Sequence, residues 1–230
     1  MSVEVIDLLI ETAHAVFSRT DANLWAEVEN AGLLALPGEV GLPEIAAVVS
    51  VSAYHAVEIE FAERVLIEPL RVRGAAEADI WRRGALMRTI QTVGAMERIR
   101  DMTVAHAADR RQFGQQLNRF QMIQSHLAEL ASETALAASA LAPAILDPSS
   151  RKVGVAKVMS GRAAGTVAAI AHQVHGAIGM TREHALHRLT VPLWRWRDEF
   201  GTEYAWATEL GYSITAQGPD AAWLELTTSP

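Results

Sequence analysis

The sequence contains no cysteine. Disulfides, thiolate metal sites and cysteine nucleophiles are therefore excluded, and a reducing compartment is compatible with that composition. It also lacks a basic excess: 27 acidic residues face 20 basic ones, for a formal charge of −7. Nucleic acid is thereby disfavoured as a main partner, because phosphate backbones need a basic face. No apolar run reaches membrane-spanning length without a charge. At the amino terminus, Glu4 and Asp7 put acid where a secretory leader needs base. These features predict a soluble cytoplasmic protein with no membrane span. Alternating strand patterns are nearly absent, and neither a solenoid-period repeat nor a low-complexity tract is present.

What the sequence does have is apolar residues, 50% of 230, spaced three or four apart over long segments. Leu86, Ile90, Val93, Met96 and Ile99 form one stripe. Phe120, Ile123, Leu127, Leu130, Ala137, Leu141 and Ile145 form a second, and Val155, Met159, Ala163, Val167, Ile170 and Val174 a third. Each predicts a helix with one buried face, and their length predicts rods packed as a bundle. Phe113-Gly114 separates the first two, Asp147-Pro148-Ser149-Ser150 the next two, with Ser149 or Ser150 as N-cap, and Gly176-Ala177-Ile178-Gly179 ends the third. A shorter helix is expected from Thr181 toward Asp198, and a last one from Glu203 to Leu210.

The first 70 residues also read as helical. Helices are expected over Val5–Phe17 and Asn23–Ala31, and one or two more from Leu42 to Glu68, stopped by Pro69. A loop is expected at Pro37-Gly38 and Gly41-Leu42-Pro43, and Arg73 to Glu77 reads as a linker. The predicted fold class is all-α, a carboxy-terminal bundle of four or five helices beside a small amino-terminal helical region.

Two segments carry a family resemblance. Arg110-Arg111-Gln112-Phe113-Gly114-Gln115-Gln116-Leu117, followed by Gln121, resembles the R-x-x-F-G-x-x-L…Q turn that joins two antiparallel helices in acyl-CoA dehydrogenases. Gln173-Val174-His175-Gly176-Ala177-Ile178-Gly179-Met180-Thr181-Arg182-Glu183 resembles that family's Q-x-x-G-x-x-G-x-[ST]-x-E turn. The two stand in the family's order with a helix pair between them, and together they span about half the chain. Leu24-Trp25 through Gly32-Leu33, and Phe61-Ala62-Glu63, are more loosely similar to the family's amino-terminal helical domain. Family members place a β-domain between their helical domains. Here residues 73–80 stand in its place, between an amino-terminal region at 1–72 and a bundle at 81–230.

The resemblance implies an enzyme that α,β-desaturates a CoA thioester, using FAD for the redox step and a carboxylate as base. It implies FAD contacts at Arg110, Gln112, Phe113 and Gln121 from the first motif, and at Gln173, Gly176 and Gly179 from the second. Thr202 and Tyr204 match positions near the flavin. A guanidinium can hold two phosphate oxygens at once, which suits a diphosphate. Read without the resemblance, Arg110 and Arg111 serve equally as helix C-terminal charges, and the glycines as a C-cap and turn.

The base is displaced. Where many members have Glu before Gly-Thr, the chain reads Asp198-Glu199-Phe200-Gly201-Thr202, so Phe200 takes the catalytic position and Glu199 is one residue early. The alternative helix position, around Trp81-Arg82-Arg83-Gly84-Ala85, holds no acid either. Three expectations remain open. The chain is a subunit of a heteromeric dehydrogenase, a dimer of heterodimers whose partner supplies the base and whose acyl group is bulky or steroid-derived. It is a self-sufficient homo-oligomer using Glu199. Or it is a helical interaction module without flavin. His172 and His175, and His184 and His187, are spaced to share helical faces but read as structural or surface residues rather than metal ligands. Trp194, Arg195, Trp196 and Arg197 read first as packing, and Arg82 and Arg83 as a solvated helix start.

Overall fold

A computed structural model describes residues 3–19, 23–57, 59–216, 218, 220, 221 and 223; Met1 and Ser2, the start of the acidic amino-terminal segment, lie outside them. The amino-terminal region comprises α1 (Val3–Phe17), α2 (Leu24–Asn30), α3 (Leu36–Glu39), α4 (Leu42–Tyr54), α5 (Phe61–Leu66) and α6 (Glu68–Val72). The bundle comprises α7 (Glu77–Asp109), α8 (Gln121–Leu146), α9 (Ser150–His175), α10 (Leu186–Asp198) and α11 (Glu203–Ala216). The expected all-α class holds. Among the described residues the strands are two dipeptides, β1 (Arg111–Gln112) and β2 (Gln115–Gln116), paired antiparallel.

The prolines differ from expectation for one reason. Pro37, Pro43 and Pro69 each sit at the first or second position of a helix, where the missing N–H has no intrahelical partner to lose. Pro69 therefore opens α6 instead of stopping a helix, and the expected loop at residues 37–43 shrinks to Val40 and Gly41 around the short α3. The linker is shorter too. α7 starts at Glu77, so Glu77 to Ile80 already form its first turn.

α7 is the axis of the molecule, roughly 50 Å long at the usual rise per residue. Its apolar stripe is buried as expected, but so is everything between: from Gly84 to Met96 no residue is exposed. A helix buried all round must be surrounded. α4 and α5 cover one side, and α8, α9 and α10 cover the others. Contact with α4 is close, since a Cβ on Gly94 would lie 2.3 Å from the Ser50 carbonyl oxygen. Buried apolar residues of α1, α4 and α5 join those of α7–α11 in one continuous core.

On α9 the expected stripe is buried at Ala163, Val167, Ile170 and Val174, while Val155 is 40% exposed and the inward face begins instead with Val153, Ala156 and Ser160. Its small residues admit α11: a Cβ on Gly161 would lie 2.5 Å from Glu203 Cγ. α10 begins at Leu186, after a turn over Thr181 to Ala185, and turns Leu186, Leu189, Leu193 and Trp196 inward. α11 extends past the expected Leu210 to Ala216.

Candidate functional site

The structure separates the expected site residues into two places, at opposite ends of α7. Arg110 and Arg88 are 22 residues apart on that rod, roughly 33 Å at helical rise.

At the carboxy-terminal end of α7 the R-x-x-F-G segment is a two-residue hairpin. Arg111 pairs with Gln116 and Gln112 with Gln115. Phe113 (φ 50°) and Gly114 (φ 83°) both take the left-handed region, the requirement of a type I′ turn. Holding a bulky residue there costs about 1 kcal/mol or more of backbone strain, and the ring is not buried in return. Phe113 is 91% exposed, with its ring edge-on to that of Phe120 at 6.2 Å between centroids. Arg110, Gln112 and Gln121 are exposed as well, and Arg110 makes no ion pair among the described residues.

The second motif lies beside this hairpin. α9 ends at His175, and His175 stacks on His106 of α7, one turn before Arg110, with ring centroids 4.4 Å apart. Gln173 and Gly176 are exposed. Gly176 has φ 64° and ψ −145°, a conformation available essentially to glycine, and open space where a Cβ would be. Gly179 differs: it is buried, and a Cβ there would lie 2.7 Å from His175 Cβ. Packing, not ligand approach, requires that glycine.

The displaced acid lies at the other end. Glu199 Oε2 accepts from Arg88 Nε at 2.6 Å, and Oε1 lies 3.2 Å from Arg195 Nε. Arg88 is 9% exposed, pairs with Glu63 at 2.6 Å and donates to Gln91 at 2.7 Å. One guanidinium thus joins α5, α7 and the α10–α11 turn. That turn is held elsewhere too. Lys157 Nζ donates to the carbonyls of Trp196 (2.6 Å) and Glu199 (2.9 Å), and Trp206 Nε1 donates to Phe200 O at 2.9 Å. Burial, reinforced by Arg88, lowers the Lys157 amine to about 8.

Phe200, in the catalytic position of the motif, has φ 56°. Its ring packs into the notch left by Gly84, where a Cβ would lie 2.4 Å from ring atoms, and meets the Trp81 edge at 5.6 Å. Both candidate base positions therefore meet in one apolar contact. Thr202 Oγ1 accepts from the Ala205 N–H at 3.2 Å, a helix N-cap role. Tyr204 is 81% exposed.

A cleft of about 580 Å³ opens beside Arg88, walled by Ala53, Val57, Glu63, Gln91, Trp196 and Glu199 among others. Three features here were not found from sequence. Arg88 and Lys157 are polar residues in apolar stripes, and the periodicity gave no sign that they were buried. Glu63 and Glu199 are partners only through the fold. The remaining expectations on this face are simple: Trp196 is buried, Trp194 lies under Arg197 at 5.2 Å, and Arg82 pairs with Asp79 at 2.6 Å. No group of three or more His, Asp or Glu among the described residues is arranged to hold a metal.

Known proteins show the same architecture. Residues 81–193 match the family profile for the acyl-CoA dehydrogenase C-terminal domain. The chain is 35% identical over 100 residues to acyl-CoA dehydrogenase IpdE2 of Mycolicibacterium smegmatis, a match covering 44% of this chain and 32% of that one. It spans about a third of the length of the IpdE2 relatives it matches. Among solved structures, the ChsE4-ChsE5 complex from Mycobacterium tuberculosis superposes with a TM-score of 0.82, at 14% identity, over 100% of this chain and 99% of that one. The Tcur3481-Tcur3483 steroid ACAD G363A variant gives 0.79, at 16% identity, over 93% and 98%. Those two likenesses carry the helical fold through the amino-terminal region as well. The carboxy-terminal bundle thus carries, over residues 81–193, the acyl-CoA dehydrogenase C-terminal domain.

Proposed function

We propose that this chain is the non-basic subunit of a flavin-dependent acyl-CoA dehydrogenase, assembled with a second dehydrogenase-like chain that supplies the base and encloses most of the FAD. The observation that carries this reading is the contrast between the two ends of α7. At the Phe200 end the groups are already engaged, with a ring locked into Gly84 and Glu199 tied to two guanidiniums at the wall of the cleft. At the Arg110 end an exposed arginine, without an ion pair among the described residues, stands beside a strained and exposed phenylalanine.

The residues at the Arg110 end fit a dinucleotide held at a seam between chains, since they form a surface and not a cavity. Arg110 would neutralise diphosphate oxygens, Gln112 and Gln121 would donate or accept at the nucleotide, and Phe113 would bury its ring against it. Gln173 and Gly176 would approach the adenosine side, while Thr202 and Gly179 keep the structural roles just described. When bound, the flavin supplies acceptance of a hydride from the substrate β carbon. The substrate would be a CoA thioester of a bulky, steroid-derived acid, a reading supported by the naming of one structural neighbour as a steroid ACAD. The assembly would be a heterotetramer, in keeping with the two-component neighbours.

The test is co-expression with candidate dehydrogenase-like chains, followed by flavin absorbance and turnover. The complex should be yellow and this chain alone colourless. Arg110→Ala should weaken FAD retention by about 10- to 100-fold, the worth of a charge-assisted phosphate contact. Glu199→Gln should leave turnover within about threefold, whereas loss of a general base costs about 100-fold or more. A yellow, active homo-oligomer silenced by Glu199→Gln would sink the proposal and establish the self-sufficient enzyme instead. A colourless complex unaffected by Arg110→Ala would leave a helical interaction module.

A further inference from the structure

Three imidazoles from three parts of the chain pack ring to ring where α9 ends. His175, the last residue of that helix, is 5% exposed. His106 of α7 stacks on it at 4.4 Å with planes 28° apart. His184, from the turn before α10, meets its edge at 4.7 Å and 61°. Hydrogen bonds set the protonation pattern. His175 Nδ1 lies 2.8 Å from the Ala171 carbonyl and so carries its proton there, while Nε2 is a buried lone pair with no partner among the described residues. His184 Nδ1 accepts from the Leu186 N–H at 3.2 Å, so its proton is on Nε2.

The surroundings offer this group no net negative charge. α7 presents Arg98, Asp101, Asp109 and Arg110, two of each sign. Asp101 is already engaged by the Tyr54 hydroxyl and by Arg100. α9 adds His172, and α10 adds His187, which bonds to the His184 carbonyl at 2.7 Å. On the far side, the turn Gly176–Met180 rests directly on the triad through Gly179 and His175.

We propose that the His106–His175–His184 triad is an acid-sensitive latch: with His175 and His106 neutral, it clamps the Gly176–Met180 turn and the start of α10 against α7, and protonation of those two rings releases them. Ring stacking is favourable between neutral imidazoles and repulsive between imidazoliums, and the unpartnered Nε2 has no acceptor waiting to receive a bond from an added proton. Burial holds His175 down to about 4; the Ala171 carbonyl opposes this, and His106, His184 and His172 add to it. Burial, then His184 and Arg110, lower His106 as well. The folded values lie below the ordinary value near 6.5, so the closed state is disfavoured as pH falls from about 6.5 toward about 4, and holds fully above that window. From His175 alone, opening should rise by about 30-fold between about pH 7.5 and about pH 5.

Amide hydrogen exchange on the full chain at those two pH values tests this, after correction for intrinsic exchange. Protection over residues 171–186 should fall by about 30-fold at the lower pH, with α8 unchanged. His175→Leu fills the site without titrating and should reduce the response to under about threefold. His175→Phe keeps a ring stacked on His106, remains informative if the first variant does not fold, and should blunt the response likewise. Unchanged protection in the parent chain, or a full response retained in either folded variant, would overturn the latch. Any effect on a flavin seam rests on the function proposed above. The exchange measurement needs no flavin, so the two ideas fail separately.

Discussion

Phe200 is the residue on which the proposed function of this chain turns. Its place in the motif was legible in the sequence, as was the loss of acid near Gly84. What could not be read was that the two losses are one contact. A glycine inside a helix gives no sign of what fills its notch, and the ring comes from a turn far along the chain. The contact predicts coupling. Gly84→Ala should destabilise by about 1–3 kcal/mol in chemical denaturation, because the ring must leave or the helices must part. In a Phe200→Ala background the same substitution should cost under about 0.5 kcal/mol, or even stabilise, since alanine is the better helix former. Additive costs in the double-mutant cycle would show that Phe200 does not occupy that notch. The glycines of the second motif show the same limit. Gly176 and Gly179 look equivalent in sequence, yet one satisfies a backbone angle at the surface and the other a buried packing distance.

At the scale of elements, helix existence was read well and the breadth of each buried face less well. Long apolar stripes located α7, α8 and α9 because tertiary burial and 3.6-residue periodicity agree over many turns. The same rule misplaced Val155 at the start of α9 and treated α7 as one-sided, since alanine, glycine, threonine and serine can be buried without looking apolar. The short helices after Pro37 and Pro69 were missed because proline signals either the end of one helix or the first turn of the next. Arg88 measures how completely α7 is enclosed. Replacing it with Met keeps the length of the side chain but removes the cation at 2.6 Å from both Glu63 and Glu199, the exposed Arg195 remaining 3.2 Å from Glu199. Because both carboxylates keep partial contact with water, the expected loss is about 1–3 kcal/mol, less than for a fully buried pair. Adding Glu63→Gln to Arg88→Met should recover part of it. Urea midpoints for the two variants decide the matter: no loss in Arg88→Met would mean that the cluster contributes nothing to holding α5 and the α10–α11 turn together.

For the whole molecule, the sequence divides more sharply than the structure. Residues 1–72 and 81–230 are distinct in motif content, and in family members with a β-domain the equivalent regions are far apart in the chain. Here α4 lies across α7 at Gly94, Glu63 pairs with Arg88, and Val48, Val49, Phe61, Leu86, Ile90 and Met96 are all fully buried in one cluster. Each such side chain is worth about 1.5–3 kcal/mol on burial, so uncovering even three of them costs about as much as a domain's entire stability. A fragment beginning at Arg73 should therefore lack a cooperative thermal transition and expose the α7 face, seen as dye binding and aggregation. The excised amino-terminal region should be no better, since its short helices have little to pack against without α7. Mixing the two pieces should restore part of the transition if the cleft beside Arg88 forms as described. A fragment that melts at the temperature of the parent chain would mean that α7 is enclosed by α8–α10 alone, and that the charged cleft is an attachment site for the amino-terminal region instead of part of a shared core.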